Sequence, residues 1–284
     1  RKPIIALKVG RSDQAQAAAL THTASLAGSH EAHAALFARL GIGQVQSLEA
    51  FLETLKLLHV GGALAGREIL SLSCSGGEAS LMADAAQGRR VEFRPFTAAQ
   101  AADLKQELGE IVTISNPLDY NTFIWGNWNA MQSMYERALA PAFDLALLVN
   151  DYPRDDQCDG ADWLNALDSF VAAVKSTGQR AANVASLSEN MPEAVAHGLL
   201  DADIAPLCGL QNALIAAEIA ADIGAAWAGS RPMPLLGATA CEGEVTVLDE
   251  LTSKNELSGA GLVVPKGVHV RDLSDVENAF QVLE

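Results

Sequence analysis

The sequence is poor in the features that announce several common protein classes. Its four cysteines, Cys74, Cys158, Cys208 and Cys241, are widely spaced and form no CxxC pair. That spacing argues against a zinc site, and a disulfide framework is not expected in a chain of 284 residues. A reducing cytoplasm is the expected setting. No apolar run approaches the ~20 residues that a bilayer span needs, and the first residues lack the pattern of a signal peptide. Lys and Arg number 19 against 35 Asp and Glu, a net charge of −16. No basic cluster offers nucleic acid a face, so neither a nucleic-acid nor a membrane partner is expected. A Walker A loop and the G-x-G-x-x-G dinucleotide fingerprint are both missing, and so are tandem repeats.

What remains is a chain that is 49% hydrophobic, enough for one large core or two modest ones. It opens on Arg1-Lys2-Pro3 and a strand-like IIALKV. That abrupt start leads us to expect a segment of a larger protein. Residues 3–9 read as a buried strand, followed by a polar, small-residue stretch through Thr23. Ser29 predicts the cap of a helix to Leu40, and Ser47 opens another to Leu58. Val60-Gly61-Gly62 to Gly66 then breaks the helical period and reads as a linker.

Beyond it strands are predicted near 68–73, 111–115, 144–149, 181–186 and 203–206. Helices are predicted near 78–87, 97–108, 128–139, 160–176, 190–200 and 210–227. This alternation predicts α/β architecture: a flavodoxin-like, doubly wound parallel sheet, preceded by the C-terminal part of a second α/β domain. Its ligand site belongs outside the carboxyl ends of the strands. The expected division is 1–62, 63–228, a linker over 229–247, and a small unit over 248–284.

Three groups of residues carry candidate chemistry. His22 lies between Thr21 and Thr23 in THTASLAGS. A neutral imidazole is a competent nucleophile toward phosphorus, and hydroxyls such as Thr23 bind phosphate oxygens. The plain alternative is a polar residue stabilising a turn. Ser75-Gly76-Gly77 lies between a predicted strand and a predicted helix start, where backbone amides and the helix dipole favour an anion. The plain alternative is a βα turn that needs glycine for close packing. Asn116 and Asp119 in SNPLDY end another predicted strand and are candidate walls of the same crevice, with helix capping as the alternative for Asp119. Asn150-Asp151 ends the next strand similarly. His30 and His33 have a spacing a metal could use, but a solvated polar face explains them, and no metal site is assigned.

In order, KPIIALKVGRS, THTASLAGS, ARLGIGQVQSLEAFLETLKLL, SLSCSGGEASLMADAA and SNPLDY resemble the NDP-forming acyl-CoA synthetases, relatives of succinyl-CoA synthetase. The resemblance covers roughly residues 1–228. It implies that His22 is phosphorylated, that Thr23, Ser75, Gly76 and Gly77 hold the phosphoryl group, and that acyl-CoA, ADP and phosphate are interconverted with carboxylic acid, CoA and ATP. It also implies CoA, ATP or ADP and Mg²⁺, bound mainly outside this chain. The expected partners are a CoA-binding Rossmann domain and an ATP-grasp module, in the same or a partner chain, and an oligomer is possible. LDELTSKNELSGAGLVVPKG resembles the opening of such a module. Two positions depart from the family pattern: Ala24 replaces a glycine, and Glu78-Ala79 replaces Pro-Gly. Two rival readings follow from the residues: a non-catalytic acyl-CoA or small-acid binding domain, and an acyl hydrolase using Ser75 or Cys74.

Overall fold

The structure, a computed structural model, describes residues 1–23, 28–140, 142–230 and 247–283, without the side chains of 19–23 and 282–283. The chain divides into two compact units, Arg1–Pro232 and Met233–Glu284.

The first unit begins with a parallel pair, β1 (Ile5–Leu7) and β2 (Gly43–Val45). Between and after these strands lie α1 (Asp13–Thr23), α2 (His30–Leu40) and α3 (Leu48–Val60). Ser29 and Ser47 cap α2 and α3, their hydroxyls accepting the Ala32 and Ala50 N–H groups. Gly41 ends α2 at φ +66, a left-handed conformation suited to glycine.

The main sheet holds β3 (Ile69–Ser73), β4 (Leu118–Asp119), β5 (Leu145–Val149), β6 (Ala181–Ala185) and β7 (Ala205–Cys208). All neighbours are parallel, in the order β4-β3-β5-β6-β7. With β3 counted first this is 2-1-3-4-5, the flavodoxin-like winding. Helices α4 (Gly76–Ala85), α5 (Ala98–Leu108), α6 (Trp128–Leu139), α7 (Ala161–Thr177), α8 (Glu193–Asp201) and α9 (Leu210–Ala228) cover both faces. Successive residues of β5 serve opposite cores: Leu145, Leu147 and Val149 face the layer of α3 and α9, whereas Ala146 and Leu148 face Met131, Tyr135 and Phe170. Every residue of β3, β5 and β6 is buried, which is why β5 reads as an unbroken apolar run and the other two as apolar or small residues broken only by Ser71, Ser73 and Asn183.

The N-terminal segment shares this core. Leu57 is fully buried against it, and the buried Glu53 carboxylate accepts the Cys208 N–H at 3.0 Å. A Cβ at Gly224 would collide with the Leu64 carbonyl, and one at Gly43 with Ile219, so both glycines set the closeness of the packing. The stretch read as a linker is tied down along its length. The Leu64 N–H donates to Ala220 O at 3.1 Å, and Arg180 donates to Ala63 O at 2.8 Å.

Two sequence expectations need correction. The polar stretch before His22 contains helix α1, Asp13–Thr23. Its alanines favour a helix by propensity but give no apolar stripe to reveal one. The expected strand at 111–115 is absent; pairing with β3 begins at Leu118, opposite Leu72. Upstream of that, Asn116 takes over the ladder. Its side chain accepts the Ser71 N–H and donates to Ile69 O, bonds a neighbouring strand would otherwise make.

In the second unit Asp249 caps α10 (Glu250–Gly259), accepting the Thr252 N–H at 2.7 Å. A 3₁₀ turn, Leu273–Asp275, leads into α11 (Val276–Leu283). Val263 and Leu273 are almost wholly exposed, as expected of so short a stretch of chain. Most of the expected linker, residues 231–246, lies outside the described residues. Among the described residues no helix is long and apolar enough to cross a membrane.

Candidate functional site

The carboxyl ends of β3, β4 and β5 meet where the winding direction of the sheet reverses, the usual position of a ligand crevice in such folds. β3 delivers Cys74 and Ser75 into the start of α4. Ser75 is extended (φ −129, ψ 124), and its carbonyl accepts the Ala79 N–H at 3.0 Å. Its hydroxyl makes no capping bond, so the first-turn amides of α4 are left without a side-chain cap. The Ser73 hydroxyl donates to Ser75 O at 3.1 Å and steadies the turn. Gly76 and Gly77 are exposed, and a Cβ at Gly76 would stand 3.1 Å from Asp119 Oδ2.

The turn thus offers amides and a helix dipole to an anion, yet three carboxylates surround it. Asp119 accepts the Asn121 N–H through Oδ1 at 3.0 Å, which aims its other oxygen at Gly76. Asp151 follows β5 and accepts the Ser186 N–H at 2.6 Å. Glu78, in the first turn of α4, has a buried Oε2 without a hydrogen-bond partner. Burial, and then the charges of Asp151 and Asp119, push its carboxyl up to about 7. Burial, then Glu78 and Asp119, push the Cys74 thiol up to about 12. A thiol so disposed is a poor nucleophile. Among the described residues no histidine hydrogen-bonds Ser75 or Cys74, so the pairing an acyl hydrolase needs is missing there.

Ser75, Gly76, Gly77 and Asp119 therefore come together. Asn116 does not join them. Its amide is consumed by Ser71 N–H, Ile69 O and Arg94 O, so it ties β3 to its neighbours rather than lining the crevice. His22 and Thr23 fall in the last turn of α1, and their side chains lie outside the described residues. Trp125 packs edge-on against Trp163, with ring centres 5.1 Å apart. Tyr120 and Tyr135 are buried edge-to-face in the core, ring centres 5.5 Å apart, near Cys74; they read as ordinary core aromatics. His33 Nδ1, on α2, lies 2.8 Å from the carbonyl oxygen of its capping residue Ser29. Among the described residues no three His, Cys, Asp or Glu side chains are arranged to hold a metal ion.

A parallel five-stranded sheet with a glycine turn and an uncapped helix start at its switch point defines a flavodoxin-like α/β fold. Residues 1–58, which include His22, match the family model of the succinyl-CoA ligase like flavodoxin domain. The chain is 34% identical over 119 residues to the ADP-forming acetate–CoA ligase of Methanocaldococcus jannaschii. It is equally similar, over the same length, to the ADP-forming acetate–CoA ligase I of Archaeoglobus fulgidus. Each match covers 42% of this chain and 17% of the relative. In fold the chain resembles a dinucleotide forming acetyl-coenzyme A synthetase of Candidatus Korarchaeum cryptofilum, solved with phosphate and ADP. The TM-score is 0.67 at 21% identity, over 84% of this chain and 50% of that one. The resemblance to ADP-forming acyl-CoA synthetases thus rests on the sequence motifs and the sequence matches, over 42% of this chain, while the solved structure agrees in fold.

Proposed function

We propose that the chain is part of an NDP-forming acyl-CoA synthetase in which His22 ferries a phosphoryl group and the Ser75–Gly77 turn receives it. The observation that carries this reading is the family match over residues 1–58, which contains the THT motif, followed by an uncapped helix N-terminus at the switch point of the next sheet. In the ATP-forming direction, phosphate attacks the acyl-CoA carbonyl, giving an acyl phosphate and free CoA. His22 then takes the phosphoryl group and releases the carboxylate, and phosphohistidine passes the group to ADP. Thr23, the Ser75 hydroxyl and the amides of Gly76 and Gly77 are the groups we assign to its oxygens. CoA, the nucleotide and Mg²⁺, which neutralises nucleotide phosphate charge in such reactions, are assigned to a CoA-binding domain and an ATP-grasp module in the same or a partner chain. Residues 248–284 would be the opening of that module, 1–62 the end of the phosphohistidine domain, and 63–228 the ligase domain. A cytoplasmic setting suits these metabolites.

The test is to incubate the full-length protein with labelled ATP and Mg²⁺ and look for acid-labile, base-stable label. Equal labelling of a His22→Asn variant would overturn the assignment. One observation weighs against a phosphoryl group at the turn and so favours a second reading, a non-catalytic acyl-CoA or small-acid binding domain that keeps its ligand's charge away from the turn: Glu78, Asp119 and Asp151 crowd it with negative charge. Absence of label from the wild-type protein, with acyl-CoA binding retained, would select it.

A further inference from the structure

A cavity of about 500 Å³ opens at the carboxyl edge of β5 and β6, between the loops that lead into α7 and α8. It shares no lining residue with the Ser75–Glu78 turn, and the proposed phosphoryl chemistry leaves it unused. Its volume falls within the range of small-molecule sites. The apolar part is formed by Tyr152, Pro153, Leu164, Pro192 and Val195. Tyr152 is only 5% exposed and gives a rigid wall, whereas Leu164 on α7 is 46% exposed and leaves apolar surface open to an occupant.

The charges on the lining have one dominant sign. Asp155, Asp159 and Glu189 face a single cation, Arg154. That guanidinium is gripped by Asp156, which is not on the lining, through Nε–Oδ1 at 2.9 Å and Nη2–Oδ2 at 2.5 Å. Its charge is therefore already matched. Glu189 is held below the usual carboxylate range by backbone hydrogen bonding and by the Ser188 hydroxyl, so it is anionic at neutral pH. Asp159 accepts the Ala161 N–H at the start of α7 through Oδ1. A carboxylate or phosphate ligand would meet uncompensated negative charge here. A cation carried on an apolar body would find both complements at once.

We propose that this cavity binds a small apolar amine, its hydrocarbon body against Tyr152, Leu164, Pro192 and Val195 and its ammonium against Asp159 and Glu189. The site is separate from the phosphohistidine chemistry and stands or falls without it.

Calorimetric titration of the full chain at neutral pH and low salt, with three probes of one shape, tests this. 3-Phenylpropylamine is expected to bind, 3-phenylpropanol to bind roughly tenfold more weakly, and 3-phenylpropionate more weakly still, as the loss and reversal of charge at a partly exposed site imply. The double variant Asp159→Asn, Glu189→Gln keeps the local hydrogen-bonding capacity, so it is expected to fold and to lose roughly tenfold in amine affinity while its weak alcohol affinity is unchanged. Val195→Trp, which fills the apolar floor, is expected to abolish binding of all three. Failure of the amine to bind, propionate binding as tightly as the amine, or an undiminished amine affinity in the double variant would each overturn the proposal.

Discussion

Replacing Glu78 by glutamine should stabilise the protein at pH 8 and do little at pH 5. A carboxylate in the first turn of a helix is normally favoured by the dipole. Here burial, Asp151 and Asp119 outweigh that effect and hold the group up to about 7 against an ordinary 4.5. The folded protein therefore keeps a proton that the unfolded chain has already lost. The proton's contribution to stability is fully present below pH 4.5 and is lost as pH rises through 7. The full span corresponds to at most about 3 kcal/mol. The side chain is only partly buried, and solvent screening brings the expected penalty to about 1 kcal/mol. The amide of the Glu78→Gln variant keeps the shape and removes the charge. Urea unfolding should then show the variant about 1 kcal/mol more stable than wild type at pH 8 and a few tenths at pH 5. A difference that is the same at both pH values, or larger at pH 5, would refute the argument that these three carboxylates crowd one another.

Other consequences follow from particular contacts. Asn116→Ala strips three hydrogen bonds from the backbone around β3 and should cost about 2–3 kcal/mol of unfolding free energy; a loss below ~0.5 kcal/mol would show that water replaces them. Gly224→Ala sets a methyl group against the Leu64 carbonyl and should lower the thermal midpoint sharply, because backbone rather than a flexible side chain must move. An unchanged midpoint would mean that α9 and residues 60–66 are not closely packed. The Cys74 thiol, pushed up to about 12, should react with iodoacetamide at pH 8 roughly a thousandfold more slowly than an ordinary thiol until urea unfolds the chain. Comparable alkylation of Cys74 and the exposed Cys158 in the folded protein would contradict that.

Much of the fold was legible in the sequence for a physical reason. β3, β5 and β6 are covered on both faces, so burial made them mostly apolar or small, and Ser29 and Ser47 announced the helices they cap. α1 escaped notice because alanine-rich propensity leaves no periodic stripe. β4 was displaced because Ile111, Val112 and Ile114 look like a strand, while the pairing is decided by Asn116, whose side chain substitutes for a ladder. The glycine turn was visible as a strand-to-helix junction. Asp119 and Asp151 were visible as strand-end residues of the same crevice, but not how close they come to Glu78. Asp151 reaches Glu78 because β5 lies beside β3, a fact of strand order that local sequence does not carry. The amine cavity depends on the same kind of juxtaposition, since its walls come from the segments after β5 and β6.

The most direct measurement is the position of the phosphate itself. After the full-length protein has turned over with ATP, peptide mass spectrometry under alkaline conditions should find phosphate on the nitrogen-bearing ring of residue 22 and nowhere else in the chain. A modified serine or aspartate, or an unmodified His22 in a preparation that forms acyl-CoA, would contradict the account.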